Sequence, residues 1–204
     1  MNAPTVRERM LRVREEAIVD AVNRLLVDKG YDQMTVDEVA AAVGIAKASL
    51  YKHFASKEAL AAAAMVRTLQ RAQAFLAQLT LDSTPRAVDR LRAVLRWTMQ
   101  MQYDGAMPSL PAENSTLRNV LSADKAYGLL LMEVSEVLGG WIQQAQADGD
   151  INPRLPAELV LFTLYARACD PVLPILKASG QYGREQIFDL LQVTCFGGLQ
   201  SRSA

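Results

Sequence analysis

One short stretch, GIAKASLYKHFASKEAL at residues 44–60, brings together Lys47, Ser49, Tyr51, Lys52 and His53. Side chains of these types can activate a nucleophile, hold a metal ion, or offer donors and cations to a polyanion. A nucleophilic serine needs a histidine base that an acid orients, and a metal centre needs several ligands. The chain has one histidine, so a histidine-rich metal site is excluded and a triad is poorly supported. No metal, cofactor or enzymatic activity is expected. The third chemistry fits the phase of the segment. With Leu50 at the centre of a buried face, a step of about 100° per residue puts Ala46, His53 and Phe54 on the inner side or its edge. Ala48, Ser49, Tyr51 and Lys52 point away, and Lys47 at the margin can carry its ammonium outward on its long stem. A donor, a hydroxyl, an aromatic ring and cations around a small Ala48 suit the major groove, where base edges and thymine methyls are read and cations meet phosphates. The plainer reading is an ordinary solvated helix face. His53 is expected to pack or hydrogen-bond near the helix C-terminus, with a phosphate contact as its secondary role.

The elements that must position this face are helical. Ile18, Val22, Leu25 and Leu26 follow one helical face, and Gly30 stands just past Lys29, which predicts a first helix over Arg9–Lys29. Thr35 followed three residues later by Glu38 is a capping box opening a short helix with Val36, Val39 and Val43 on one face. Gly44 can turn left-handed at its end, and small Ala40 lets the next helix cross closely. Ser56 caps a fourth helix expected to reach about Leu79. Further helices are expected over Arg86–Tyr103, Leu117–Leu121, Asp124–Ala147, Ala157–Asp170 and Arg184–Leu199, with a Pro- and Gly-containing break at DGAMPSLPAENS. No strand is expected.

The 204 residues are 50% hydrophobic with formal net charge zero, so the chain buries a sizeable core, and any attraction to nucleic acid must come from a local patch. Two cysteines, Cys169 and Cys195, and an N-terminus bearing Arg7, Glu8, Arg9 and Arg12 point away from secretion and toward the cytoplasm. The longest apolar stretch, Leu159–Ala166, is shorter than the roughly 20 residues of a membrane span and reads as a core helix, with no membrane partner.

TVDEVAAAVGIAKASLYKHFASKEAL, together with the preceding KGYDQM, resembles the N-terminal DNA-binding domain of TetR/AcrR-type transcriptional repressors. The resemblance covers about Arg14–Ala64. It departs from the family at Ala46, where many members carry serine. It implies an all-α protein with an N-terminal three-helix helix-turn-helix DNA-binding domain (residues 1–65, with a basic arm) and a C-terminal helical ligand-binding and dimerisation domain (residues 66–204). The DNA-binding residues would be Thr35, Lys47, Ala48, Ser49, Tyr51, Lys52, His53 and Lys57. Thr35 and Lys57 stand at helix N-termini that already aim amides at an anion, although Thr35 is equally explained as a cap. Arg7, Arg9, Arg12 and Arg14 would reach a flanking minor groove or form a solvated tail.

By the same resemblance, the second part would bind a small-molecule effector and form a homodimer through the helices from Ala157 and from Arg184, whose Ala166, Ala168, Gly197 and Gly198 permit close approach. The partner would be a palindromic operator, released when an effector favours another dimer state. Candidate effector contacts are Trp97, Met101, Tyr103, Met107, Tyr127, Met132, Trp141, Phe162 and Tyr165, each of which also suits a core. Arg167 and Asp170 are expected to pair. Two other readings are an all-helical enzyme or small-molecule carrier with no DNA role, and a regulator of this fold that senses redox through Cys169 and Cys195.

Overall fold

The computed structural model describes residues 5–81, 85–108, 116–168 and 171–199. The described elements are all helices: α1 (Val6–Gln33), α2 (Val36–Val43), α3 (Lys47–Leu50), α4 (Lys57–Leu81), α5 (Ala87–Tyr103), α6 (Thr116–Ala123), α7 (Lys125–Ala147), α8 (Ala157–Ala168), α9 (Val172–Ser179) and α10 (Arg184–Leu199). They form two compact units. The first holds residues 1–68 and 105–128, the second residues 69–104 and 129–204. The chain therefore changes unit three times, inside α4, after α5 and inside α7, where the sequence suggested one change near residue 65.

In the first unit, Ile18, Val22 and Leu26 of α1 pack with Met34, Val39, Leu50 and Leu60, and Leu117 and Leu121 of α6 join the same core. Asn23, itself buried, donates to the Ala106 carbonyl at 3.0 Å and ties the returning segment to α1. Gly30 interrupts α1 with φ 76, and Tyr31–Gln33 add a further turn before Met34. The helix also begins earlier than its apolar pattern indicates, because Thr5 and Glu8 cap it reciprocally.

In the second unit, Leu91, Leu95 and Met99 of α5 meet Val134, Leu138 and Ile142 of α7, Val160 and Leu164 of α8, Leu173 of α9, and Ile187, Phe188 and Leu191 of α10. α9 has no counterpart among the helices expected from the sequence. Pro174 lies in the first turn of α9, where its missing N–H has no intrahelical partner to lose. The segment Ala157–Ser179 is long and apolar enough for a membrane by length and composition. Here Val160, Leu164 and Leu173 instead enter the core of the unit. The expectation of a core helix over Leu159–Ala166 is only half met, because Leu159 and Phe162 are exposed.

Candidate nucleic-acid interface

The helix-turn-helix is built from local signals. Thr35 accepts the Glu38 amide at 3.3 Å while the Glu38 carboxylate takes the Thr35 amide at 3.0 Å. Lys29 and Thr35 together hold the Glu38 carboxyl down at about 2. At the other end of α2, Gly44 adopts φ 70, its amide donates to Ala41, and the Ile45 amide reaches back to Ala40 at 3.0 Å. This double bond pattern needs a left-handed residue, which glycine adopts without a Cβ clash.

The chain then enters α3, four residues long, whose buried side chain is Leu50 at 0% exposure. Lys47, Ala48, Tyr51 and Lys52 are exposed as expected, whereas Ser49, expected to point outward with them, is half-buried. Ala46 is the exception to the phase argument. It is the N-cap residue of α3 and is exposed, because it stands outside the helical path and offers no side-chain cap.

Several of these groups are held by residues from elsewhere in the unit. The Lys47 ammonium pairs with Asp37 of α2 at 2.9 Å, and this carboxylate holds the Lys47 pKa above its ordinary value. His53 turns inward, its side chain 8% exposed, and its Nδ1 meets the Glu15 carboxylate of α1 at 3.3 Å. Lys57, half-buried, donates to the Asp32 carbonyl at 3.3 Å and lies 4.5 Å over the Tyr31 ring. Tyr31 donates to Glu58 at 2.9 Å; burial and that carboxylate push its pKa up to about 12. Ser56 accepts the Ala59 amide at 3.2 Å and so caps α4. Among the described residues no group of three or more histidine, cysteine or carboxylate side chains could hold a metal ion.

The residues proposed for an effector are dispersed. In the second unit Trp97 stacks on Phe75 with centroids 5.1 Å apart, and Tyr103 meets Phe188 edge-on at 5.7 Å. Lys177 covers the Tyr103 ring at 4.3 Å. Trp141 is buried beneath Arg90, Met101 is half-buried, and the Tyr165 hydroxyl lies 2.7 Å from Ser135 Oγ. Met132 and Phe162 are 51% and 56% exposed, which places them on the surface of this unit. Met107 and Tyr127 belong to the first unit. Cys195 is buried, whereas Cys169 and Asp170 lie outside the described residues.

Residues 18–64 match the family model described as bacterial regulatory proteins, tetR family. The biofilm operon icaADBC HTH-type negative transcriptional regulator IcaR of Staphylococcus aureus is 46% identical over 46 residues, 22% of this chain and 25% of that protein. Residues 18–64 form a TetR-family domain. Its sequence alignment spans about a quarter of the length of this curated relative. The likeness of fold extends much further. The fatty acid degradation regulator FadR from Bacillus halodurans superposes with a TM-score of 0.71 over 93% of this chain and 97% of that one, at 17% identity. AibR, solved in complex with isovaleryl coenzyme A and operator DNA, gives 0.64 over 90% and 98%, at 24% identity.

Within the TetR-type domain, Ala46 stands where the family often has serine, and here α3 starts without a side-chain cap. Asp37 and Glu15 are the residues that sequence reasoning missed. Each is an ordinary acid on a helix surface, ten and thirty-eight positions from its partner. No helical periodicity links residues so separated, and only the packing of α1 and α2 around α3 shows the pairing.

Proposed function

We propose that this protein is a dimeric TetR-family transcriptional repressor that binds a palindromic operator and is released by a small-molecule effector. The observation that carries the reading is the outward face of Lys47, Ala48, Tyr51 and Lys52 on a helix anchored by buried Leu50 behind a left-handed Gly44 turn. This face would lie in the major groove, with Ser49 at its margin and Thr35, Lys57 and His53 as phosphate contacts. His53 and Lys57 are partly engaged within the protein, so their role would be chiefly to hold the helix and direct nearby amides. Lys47 would exchange Asp37 for a phosphate or base edge. In this reading residues 1–65 form the DNA-binding domain and residues 66–204 the effector-binding and dimerisation domain. The activity is binding without turnover, on DNA in the cytoplasm.

Dimerisation through α8 and α10 is supported by their surfaces. Leu159, Phe162, Leu190 and Val193 are exposed apolar side chains on these helices. A Cβ added at Gly197 or Gly198 would meet nothing within 4 Å among the described residues, so none of these calls for glycine there. In the dimer reading, these positions leave room for close approach of a second copy. A two-fold dimer presents two copies of α3 to half-sites about 34 Å apart or a multiple of that.

The test is selection of bound genomic fragments with the purified protein, followed by footprinting. A protected palindrome is expected, and Lys47→Ala with Tyr51→Ala should abolish protection while leaving the far-ultraviolet circular dichroism unchanged. Retained protection in that variant, or a monomer at micromolar concentration, would refute the reading. For the effector, coenzyme A thioesters are the first probes, since AibR is known with one bound. Trp97, Met101, Tyr103, Trp141 and Tyr165 are the residues to vary.

A further inference from the structure

α1 continues well beyond its packed part. Ile18 is its first buried residue, and every residue from Thr5 to Ala17 is exposed. An unpacked helical end frays unless its first turn is satisfied. Here the Glu8 carboxylate takes the Thr5 amide at 2.7 Å and the Thr5 hydroxyl accepts the Glu8 amide at 3.3 Å. At about 1.5 Å per residue, Val6–Ala17 form a rod of roughly 18 Å. Its root is fixed beside the reading face. Glu15 holds His53 at 3.3 Å, and Arg67 of α4 donates to the Glu16 carbonyl at 3.0 Å and pairs with Asp20 at 3.3 Å.

The rod is basic. Between Val6 and Arg14 it carries four arginines against Glu8, a surplus of three charges in a chain whose formal net charge is zero. Arg7, Arg9, Arg12 and Arg14 are exposed, and Arg12 lies close enough to Glu8 to help lower its carboxyl pKa. By helical phase, Arg7 and Arg14 share one side and Arg9 and Arg12 lie on the other, with exposed Val6, Met10 and Val13 between the Arg7–Arg14 side and Arg9. A minor groove about 6 Å wide does not admit a helix 10–12 Å across. A helical arm therefore reaches phosphates, not the minor-groove floor.

We propose that residues 6–14 are a second, sequence-independent DNA-binding element, a capped helix whose arginines hold the phosphates flanking each half-site. The inference rests on the repressor reading above. The root position favours DNA over an anionic membrane, because the arm leaves the protein next to the helix that faces the duplex. The apolar stripe spans under two heptads, too short for a coiled coil with a second copy.

The experiment uses the full chain and the duplex recovered by selection, with binding read by fluorescence anisotropy across a salt series. In the R7Q/R9Q/R12Q/R14Q variant the slope of log affinity on log salt should become shallower by about 0.9 for each phosphate the arm no longer neutralises. With three phosphates freed in this way, the ratio of wild-type to variant affinity should change about 40-fold between roughly 50 and 200 mM salt. The ranking of operator variants should stay the same. Trimming about five base pairs of flank, the length of the rod at roughly 3.4 Å per pair, should weaken the wild type and not the variant. Met10→Pro keeps every charge but breaks the rod, and should cause part of the same loss.

If the wild type binds no selected duplex, the repressor reading itself fails. If it binds and the four-arginine variant keeps the wild-type slope, the arm alone is refuted. A Met10→Pro protein indistinguishable from wild type would show that a flexible tail suffices and overturn the helical clamp. Arm-dependent binding to vesicles of equal phosphatidylcholine and phosphatidylserine, or arm-dependent self-association in sedimentation, with an unchanged DNA slope, would assign the surface to lipid or to a second copy and overturn the proposal.

Discussion

Leu50→Ala tests how the reading helix is held. α3 is four residues long and has no side-chain cap, so it cannot sustain itself as an isolated helix. Its attachments are few. Leu50 is its buried side chain, at 0% exposure, and Lys47 pairs with Asp37 across side chains 49% and 71% exposed. An exposed pair of that kind contributes about 0.2–1 kcal/mol, whereas truncating a buried leucine costs about 2.7–5 kcal/mol. Leu50 therefore dominates. Taking about 3 kcal/mol, near the low end because a core this close to the surface can partly collapse, the opening of α3 becomes about 140-fold more populated. Amide hydrogen exchange reads this directly. The Tyr51 amide, bonded to the Lys47 carbonyl at 3.2 Å, and the Phe54 amide, bonded to the Leu50 carbonyl at 3.0 Å, should lose protection by about two orders of magnitude. Amides of α5 in the second unit should not change. A loss below about tenfold at Tyr51 and Phe54 would refute the claim that Leu50 anchors the helix. An equal loss in α5 would show that the substitution unfolds the whole chain, and not α3 alone.

Other consequences follow from the same unit. Thr35→Ala removes the hydroxyl half of the capping box and should lower the stability of the first unit by about 1 kcal/mol in denaturant titration. Glu38 has a folded pKa of about 2 against an ordinary value of 4.5, so its contribution is fully present above pH 4.5 and is lost as pH falls toward 2. Glu38→Gln should flatten the decline of the melting temperature across that acid range. Tyr31 is shifted the opposite way, from 10 to about 12. The stability from its neutral hydroxyl is present below pH 10 and lost as pH rises through 12. Burial raises the Tyr165 phenol as well, so ultraviolet difference absorbance should show Tyr31 and Tyr165 ionising late in the native protein, and Tyr31→Phe should remove the Tyr31 part of that late component.

Much of the first unit was legible because its signals are local. The Thr35–Glu38 box, the Gly44 turn and the Ser56 cap each act within a few residues, and all three form as read. The inward phase of His53 and outward phase of Tyr51 and Lys52 likewise follow from about 100° per residue on a helix anchored at Leu50. Phase failed at Ala46, since that residue precedes the helix. No helix was expected over Val172–Ser179, whereas burial of Leu173 selects a short helix with Pro174 in its first turn.

What the sequence determined by itself was the set of caps, turns and faces, since these depend on a residue and its neighbours within one or two turns. The tertiary structure alone decided which distant groups meet. It brought Glu15 to His53 and Asp37 to Lys47, folded residues 105–128 into the first unit, and left Phe162 and Met132 on the surface of the second. Such pairings join residues tens of positions apart, whose meeting depends on loop closure and on the packing of whole helix faces, and no short-range pattern encodes either. The capped arm lies between the two cases. Its helix is written in Thr5 and Glu8, but its exposure, and its root beside the reading helix, exist only in the folded chain.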